Sequence, residues 1–302
     1  TRRGVFNTGQ VEVVSQDPFG LFRLRRRFLQ PQGYVVVPAT HPLPDLDPRL
    51  AALPSDSRTT RHWENTTTDV ASVRDYQAGD SFRRIHWPYT ARMNSLMVKE
   101  FDIGISAEAW VVVDMQQGVH LGEAADNTEE TSVTVAASLI NRLVEMSLPV
   151  GLAMDGNNNY IFRPDSSPEH LGRLMEALAE VKAVGTTSIE RFLYDLRPTL
   201  NRFNTLTLIT PSGLTNWVPA LTALKRQGIS VSVVLIDPKS FGGATDIEYS
   251  VEVLFQNDIS TYMVSHGQEL NQALHIPLGM EMGIAALGQP GPPGARIEDI
   301  AV

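Results

Sequence analysis

Cysteine is absent from all 302 residues, which excludes a disulfide scaffold, a thiolate-bound metal and cysteine nucleophile chemistry together. A reducing compartment is compatible with that absence. Long apolar runs are also missing. The longest, such as residues 34–37 and 109–113, fall far short of the roughly 20 residues that cross a bilayer. No signal peptide opens the chain, which begins at Thr1 and reads as a soluble piece of something longer. Nor does it carry the phosphate-binding patterns G-x-x-x-x-G-K-S/T and G-x-G-x-x-G, the nucleophile elbow G-x-S-x-G, or the zinc helix H-E-x-x-H. The seven histidines stand singly. With no nucleophile motif and no evident base to activate one, the chain does not read as an enzyme.

What is present suits a folded protein: 42% hydrophobic and 20% charged residues are too apolar for disorder. Because single cores rarely grow beyond roughly 250–300 residues, two domains are expected. Charge supports a boundary near residue 100. Residues 1–100 hold 14 Lys and Arg against 10 Asp and Glu, whereas residues 101–302 hold 11 against 24. The acidic second part argues against a nucleic-acid-binding surface there.

Residues 1–105 read as a β-rich domain. Residues 11–15 form a strand, Asp17-Pro18-Phe19-Gly20 a turn, and residues 22–28 a strand that alternates arginine with Phe22, Leu24 and Phe28. Residues 34–37 read as a short buried strand, and the proline-rich stretch 41–54 as an extended connection. From residue 106 to 287 the pattern changes to strands alternating with helices. Strands are expected at 110–113, 149–154, 160–162, 205–209, 229–236 and 260–264. Helices are expected at 128–146, 168–184, 188–196, 217–227, within 246–255, and at 268–274. Continuous apolar strands joined by crossover helices predict an α/β fold with a mainly parallel sheet covered on both faces, and ligands beyond the strands' carboxyl ends. Asp114 sits at such an end. Residues 288–302 read as a disordered tail.

The most unusual segment runs from Arg74 to Arg92, with four arginines and two aspartates among its aromatics. Gly79 supplies a turn and Asp80 can cap a short helix carrying Arg83 and Arg84. Guanidinium and carboxylate groups at this density pair through parallel hydrogen bonds, so the segment is a clasp between domains or a docking face for an acidic partner.

The pattern Arg74-x-Tyr76-x-x-Gly79-Asp80-x-x-Arg83-x-Ile85-x-Trp87-x-x-Thr90-Ala91-Arg92, followed by Val98-Lys99-Glu100-Phe101, resembles the signature of the bacterial family described as domain of unknown function 58. Arg3-Gly4-Val5-Phe6 and Asp17-Pro18-Phe19-Gly20-Leu21-Phe22 match its upstream region, so the resemblance covers nearly the whole chain. His86 stands where the family usually has aspartate, and Pro88 where lysine is common. The resemblance implies two transmembrane helices upstream of residue 1, a soluble part on the cytoplasmic side of the bacterial inner membrane, and a von Willebrand factor A-like domain. It also implies partners, a MoxR-type AAA+ ATPase and a transglutaminase-like membrane protein, and a non-enzymatic adaptor role. The six arginines between Arg2 and Arg27 agree with the positive-inside tendency.

Von Willebrand A-like domains often hold Mg²⁺ at the end of their first strand through D-x-S-x-S, a threonine from a second loop and an aspartate from a third. Here that loop reads Asp114-Met115-Gln116-Gln117-Gly118, so Gln116 and Gly118 replace both serines. Thr186 or Thr187 could supply the threonine, while Thr210 takes the place of the later aspartate. A site short of a hydroxyl and an anion suits Mg²⁺ poorly, and no cofactor is expected. The competing expectation is a Mg²⁺-dependent ligand-binding domain built on Asp114.

Overall fold

A computed structural model describes residues 2–7, 9, 11–28, 33–50, 70–75, 87–93, 95–101, 108–123 and 126–278. The chain divides into two compact units, residues 1–55 with 107–302, and residues 56–106. This differs from a division near residue 100. The reason lies in what the first fifty residues touch.

The larger unit opens with four strands, β1 (Gly4–Asn7), β2 (Val11–Gln16), β3 (Arg23–Phe28) and β4 (Gly33–Val36). β1 pairs antiparallel with β4, and β2 with β3 as a hairpin. Tyr34 and Val35 of β4 are exposed, so the apolar run 34–37 is not the buried strand that its composition suggests. The proline-rich stretch, by contrast, is more than a connection: Leu43, Leu46 and Leu50 are buried in the core of this unit. Backbone bonds hold it there, from Asp47 N to Leu274 O (3.1 Å) and from His41 N to the Ser138 hydroxyl (2.9 Å).

The smaller unit, taken by itself, contains β5 (Val70–Asp75), α1 (Trp87–Met93) and β6 (Met97–Phe101), with β5 and β6 antiparallel. Thr90 Oγ1 accepts a hydrogen bond from Met97 N (3.0 Å), tying the helix to the start of β6.

The larger unit continues through β7 (Glu108–Val113), the short pair β8 (Gly122–Glu123) and β9 (Asp126–Asn127), α2 (Thr128–Glu145), β10 (Val150–Asp155) and β11 (Asn159–Asp165). Then come α3 (Pro168–Glu180), α4 (Ile189–Leu196), β12 (Asn204–Thr210), α5 (Val218–Arg226), β13 (Ser230–Ile236), α6 (Glu248–Gln256), β14 (Ser260–Val264) and α7 (Leu270–Ala273). Six of these strands form one sheet in the order β11-β10-β7-β12-β13-β14. All neighbours are parallel except β11, which runs antiparallel at one edge. Counted along the chain, the order is third, second, first, fourth, fifth, sixth. This is a doubly wound, Rossmann-like arrangement with a switch point between the first and fourth strands, and it agrees with the von Willebrand factor A-like fold that the family resemblance implies.

The sheet forms because both faces of its strands are apolar. Along β7, Val111 and Val113 enter a core shared with α2, α3 and α7. Trp110 and Val112 point the other way, into a core shared with α4, α5 and α6. Buried on both sides, such strands lose the alternation of a half-exposed sheet and read as unbroken apolar runs.

The helices start and stop for local reasons. The Asn127 side chain accepts from Glu130 N (2.7 Å) and caps α2. Pro168 opens α3, and Gly228, at φ +90°, follows the end of α5. α3 ends at Glu180 rather than near residue 184, because Val181 turns to extended backbone, and Arg3 takes up carbonyls at that end. Arg3 Nη1 donates to Leu178 O and Val181 O (2.6 Å each). The same guanidinium pairs with Glu129 (2.7 Å) and Glu130 (3.1 Å) in the first turn of α2. Positive charge at one helix's C-terminus and negative charge at another's N-terminus both complement the helix dipoles. This buried arginine fastens the N-terminal strands to the sheet unit.

Candidate functional site

β7 and β12 run side by side and end together, and there the chain places Asp114 opposite Thr210. Asp114 is 1% exposed. Thr210 Oγ1 donates to Asp114 Oδ2 (2.7 Å), and Gln116 N donates to Oδ1 (3.1 Å). The threonine hydroxyl in turn accepts from Ser212 N (3.0 Å), so a chain of donors from the β12 loop runs into the carboxyl group. Burial pushes the Asp114 carboxyl above the usual carboxylate value, while the bonds from Thr210 and Gln116 hold it back.

His120 closes the loop from below. Its Nε2 lies 2.8 Å from the Asp114 carbonyl and its Nδ1 3.3 Å from the Thr128 hydroxyl. A carbonyl only accepts, so we assign the proton to Nε2. Burial lowers the pKa of this imidazole and so favours the neutral ring. The loop is also tied sideways. Gln117 N donates to Gly185 O (2.8 Å) and Gly185 N to Met115 O (3.0 Å). Gly185 is required here, because a Cβ would stand 2.1 Å from Asp155 O.

Asp155, at the end of β10, is the residue that the motif comparison missed. Its Oδ2 accepts from Thr187 N (3.3 Å), and with Asp114, Gln116 and Thr187 it lines a cleft too narrow for a water molecule. Its sequence signal was its place at the end of a strand, directly before a Gly-Asn-Asn-Asn turn. Of the expected metal-site positions, the fold therefore brings Asp114, Gln116, Thr187 and Thr210 together. Thr186 and Gly118 are exposed on the rim, Gly118 with φ +86°. Mg²⁺ prefers six oxygen ligands in open octahedral geometry, and these donors fit it poorly. Both oxygens of Asp114 are hydrogen-bonded and the Thr210 hydroxyl already gives its proton to one of them. Among the described residues, no three His, Asp or Glu side chains converge on a cation site.

In the Arg74–Arg92 segment, Arg74 lies on β5, paired with Val98. Trp87 begins α1 at 63% exposure, and Arg92 is exposed in its last turn. Tyr76, Asp80, Arg83 and Arg84, with the helix expected to follow Asp80, lie outside the described residues, as does the tail 288–302.

Residues 72–241, more than half of the chain, match the family model "Protein of unknown function DUF58". Curated relatives include the uncharacterized protein YeaD of Bacillus subtilis, 30% identical over 123 residues, 41% of this chain and 29% of that protein. An uncharacterized protein of Mycobacterium tuberculosis is 25% identical over 184 residues, 57% of this chain and 56% of the relative. The chain thus spans between about a third and about half of the curated relatives it matches. Among solved structures, proximal thread matrix protein 1 of the mussel byssus overlaps 56% of this chain and 46% of its own at 15% identity and TM-score 0.39. Manganese-loaded Plasmodium vivax TRAP protein overlaps 63% and 66% at 13% identity and TM-score 0.32. At such distances the fold rests on the strand order itself.

Proposed function

The chain belongs to the DUF58 family, and from that premise we propose that its α/β unit is a non-enzymatic, metal-independent protein-interaction module that works with a MoxR-type AAA+ ATPase. The observation that carries the reading is the locked carboxyl of Asp114. Its oxygens are taken by Thr210 and Gln116, so the sheet top offers a fixed rim rather than a reactive centre or an open cation site. Gln117, Gly118, Thr186 and Leu214 are exposed along that rim, Leu214 as a large apolar side chain. Such a surface suits contact with another protein. The ATPase, a transglutaminase-like membrane protein as second partner, and attachment on the cytoplasmic side of a bacterial inner membrane all come from the family resemblance. No helix among the described residues is long and apolar enough to cross a membrane, so an attachment of that kind needs segments outside them.

The test is a pull-down with a MoxR-type AAA+ ATPase from the same host, with Mg²⁺ present or chelated. The ATPase is kept free of nucleotide in both conditions, so that chelation does not act through its own Mg²⁺–nucleotide site. Capture in both conditions, lost on Leu214→Glu, supports the module. Capture only with Mg²⁺, together with a Mg²⁺-induced rise in Tm that Asp114→Ala abolishes, replaces it with the metal-dependent ligand-binding reading. No capture in either condition removes the ATPase from the proposal.

A further inference from the structure

The β2–β3 hairpin presents a feature that the sheet top does not explain. Every residue of both strands is exposed. The register sorts its side chains into two faces. Val11, Val13 and Ser15 lie opposite Phe28, Arg26 and Leu24, while Glu12, Val14 and Gln16 lie opposite Arg27, Arg25 and Arg23. One face is therefore mainly apolar. The other carries three guanidinium groups and a single acid, Glu12, within 3.8 Å of Arg25 and 3.6 Å of Arg27.

The tip is ordered by its aspartate. Asp17 Oδ1 accepts from Phe22 N (2.6 Å) and Oδ2 from Phe19 N (3.1 Å), while Gly20, at φ +70°, completes the turn by donating to Asp17 O. The carboxylate is thus turned back onto the backbone. Three large apolar side chains are left at the apex: Phe19 is 86%, Leu21 75% and Phe22 75% exposed. A convex apolar tip followed by a basic strand needs a counterpart that is both deformable and negatively charged.

We infer that this hairpin docks on an anionic phospholipid surface, its Phe19, Leu21 and Phe22 tip entering the boundary between headgroups and acyl chains and its Arg23, Arg25 and Arg27 face meeting the lipid phosphates. Aromatic and aliphatic side chains flanked by arginine are the combination that holds peripheral segments at that interface. The six-residue strands span about 20 Å. Phosphates lie within reach of the arginines just behind the tip. The rest of the chain is acidic, with a formal charge of −9 overall against four arginines and two acids in residues 11–28. At about 0.1 M salt, charges more than about 10 Å away are largely screened, so the basic hairpin acts on its own. An acidic protein would pair with the arginines but would also have to provide a socket for three apolar side chains. A bilayer provides both. The inference is independent of the partner reading above.

The test is co-sedimentation of the whole chain with phosphatidylcholine vesicles, alone or with about 30% phosphatidylserine. Binding to the anionic vesicles alone is expected. The triple change Arg23→Gln, Arg25→Gln and Arg27→Gln should weaken it on the order of 100-fold, and raised salt should do the same. The triple change Phe19→Ser, Leu21→Ser and Phe22→Ser should abolish it. Because these side chains are exposed, thermal unfolding should be unchanged in both variants, which separates lost docking from lost folding. No binding, or binding that survives both variants, overturns the inference. Self-association in sedimentation velocity that the tip variant abolishes, without vesicle binding, overturns it in favour of a second copy of this chain.

Discussion

Two sets of strands in the same unit sit in opposite surroundings. In β12 every one of seven residues is buried, whereas in β2 and β3 every one of twelve is exposed. Apolar residues are plentiful in both. The difference is that helices cover the sheet on each side, while the hairpin is a single pair with no second layer among the described residues. A two-stranded ribbon buries too little surface to be stable by itself and depends on its anchorage, here β1, β4 and the Arg3 contacts. Burial thus follows from what packs over a strand, and apolar content alone does not report it.

Three measurements can break or sharpen this contrast. Trp110 fills one core of the sheet, and Trp110→Ala should cost about 3–5 kcal/mol, seen as a loss of about 6–10 °C in Tm. A loss below about 1 kcal/mol would mean that the core on that face is not packed as described.

A smaller effect is expected at the buried polar loop, and it depends on pH. His120 has a lowered folded pKa, so the unfolded imidazole takes up a proton that the folded one refuses. Its contribution is complete above the ordinary imidazole value of 6.5 and is lost as pH falls below it. Asp114 acts in the opposite sense. Its carboxyl is raised in the fold, so its contribution is complete below the ordinary value of 3.8 and is lost as pH rises through the folded value. His120→Gln should therefore cost about 1 kcal/mol near pH 8 and less, or nothing, near pH 5. Urea unfolding at a series of pH values reads the difference. Parallel curves for the two proteins would show that His120 titrates as freely as it does in the unfolded chain.

The smallest change is expected in the hairpin. Phe19→Ser should shift stability by less than about 0.5 kcal/mol despite removing a phenyl ring. A loss comparable to that of Trp110→Ala would show that the tip is buried in solution and would erase the contrast.

Much of the sheet unit was readable because its signals are local and repeat. The unbroken apolar runs of β7, β12 and β13 declare strands covered on both faces, and the spacing of Val133, Ala136, Ala137, Ile140 and Leu143 declares α2. Pro168 and Gly228 mark where helices begin and end. The family motif and the degenerate Asp114 loop were readable for the same reason, since each is a contiguous pattern. Other features depended on pairings distant in sequence. Val35 looks like a core residue and is exposed, whereas Leu43 and Leu50, in a stretch broken by prolines, are buried. Asp155 meets Thr187 across 32 positions, and Arg3 reaches glutamates more than 120 positions away.

The sequence by itself determined the α/β class, the alternation of strands and helices, the resemblance to a family, and the glutamine and glycine that follow Asp114 at positions 116 and 118. Only the tertiary structure decided that residues 1–55 belong with the sheet, that Thr210 bonds to Asp114, and that the Phe19 tip stands clear of any core. Periodicity encodes which face of an element is apolar. What comes to lie against that face is settled by contacts between segments far apart in the chain.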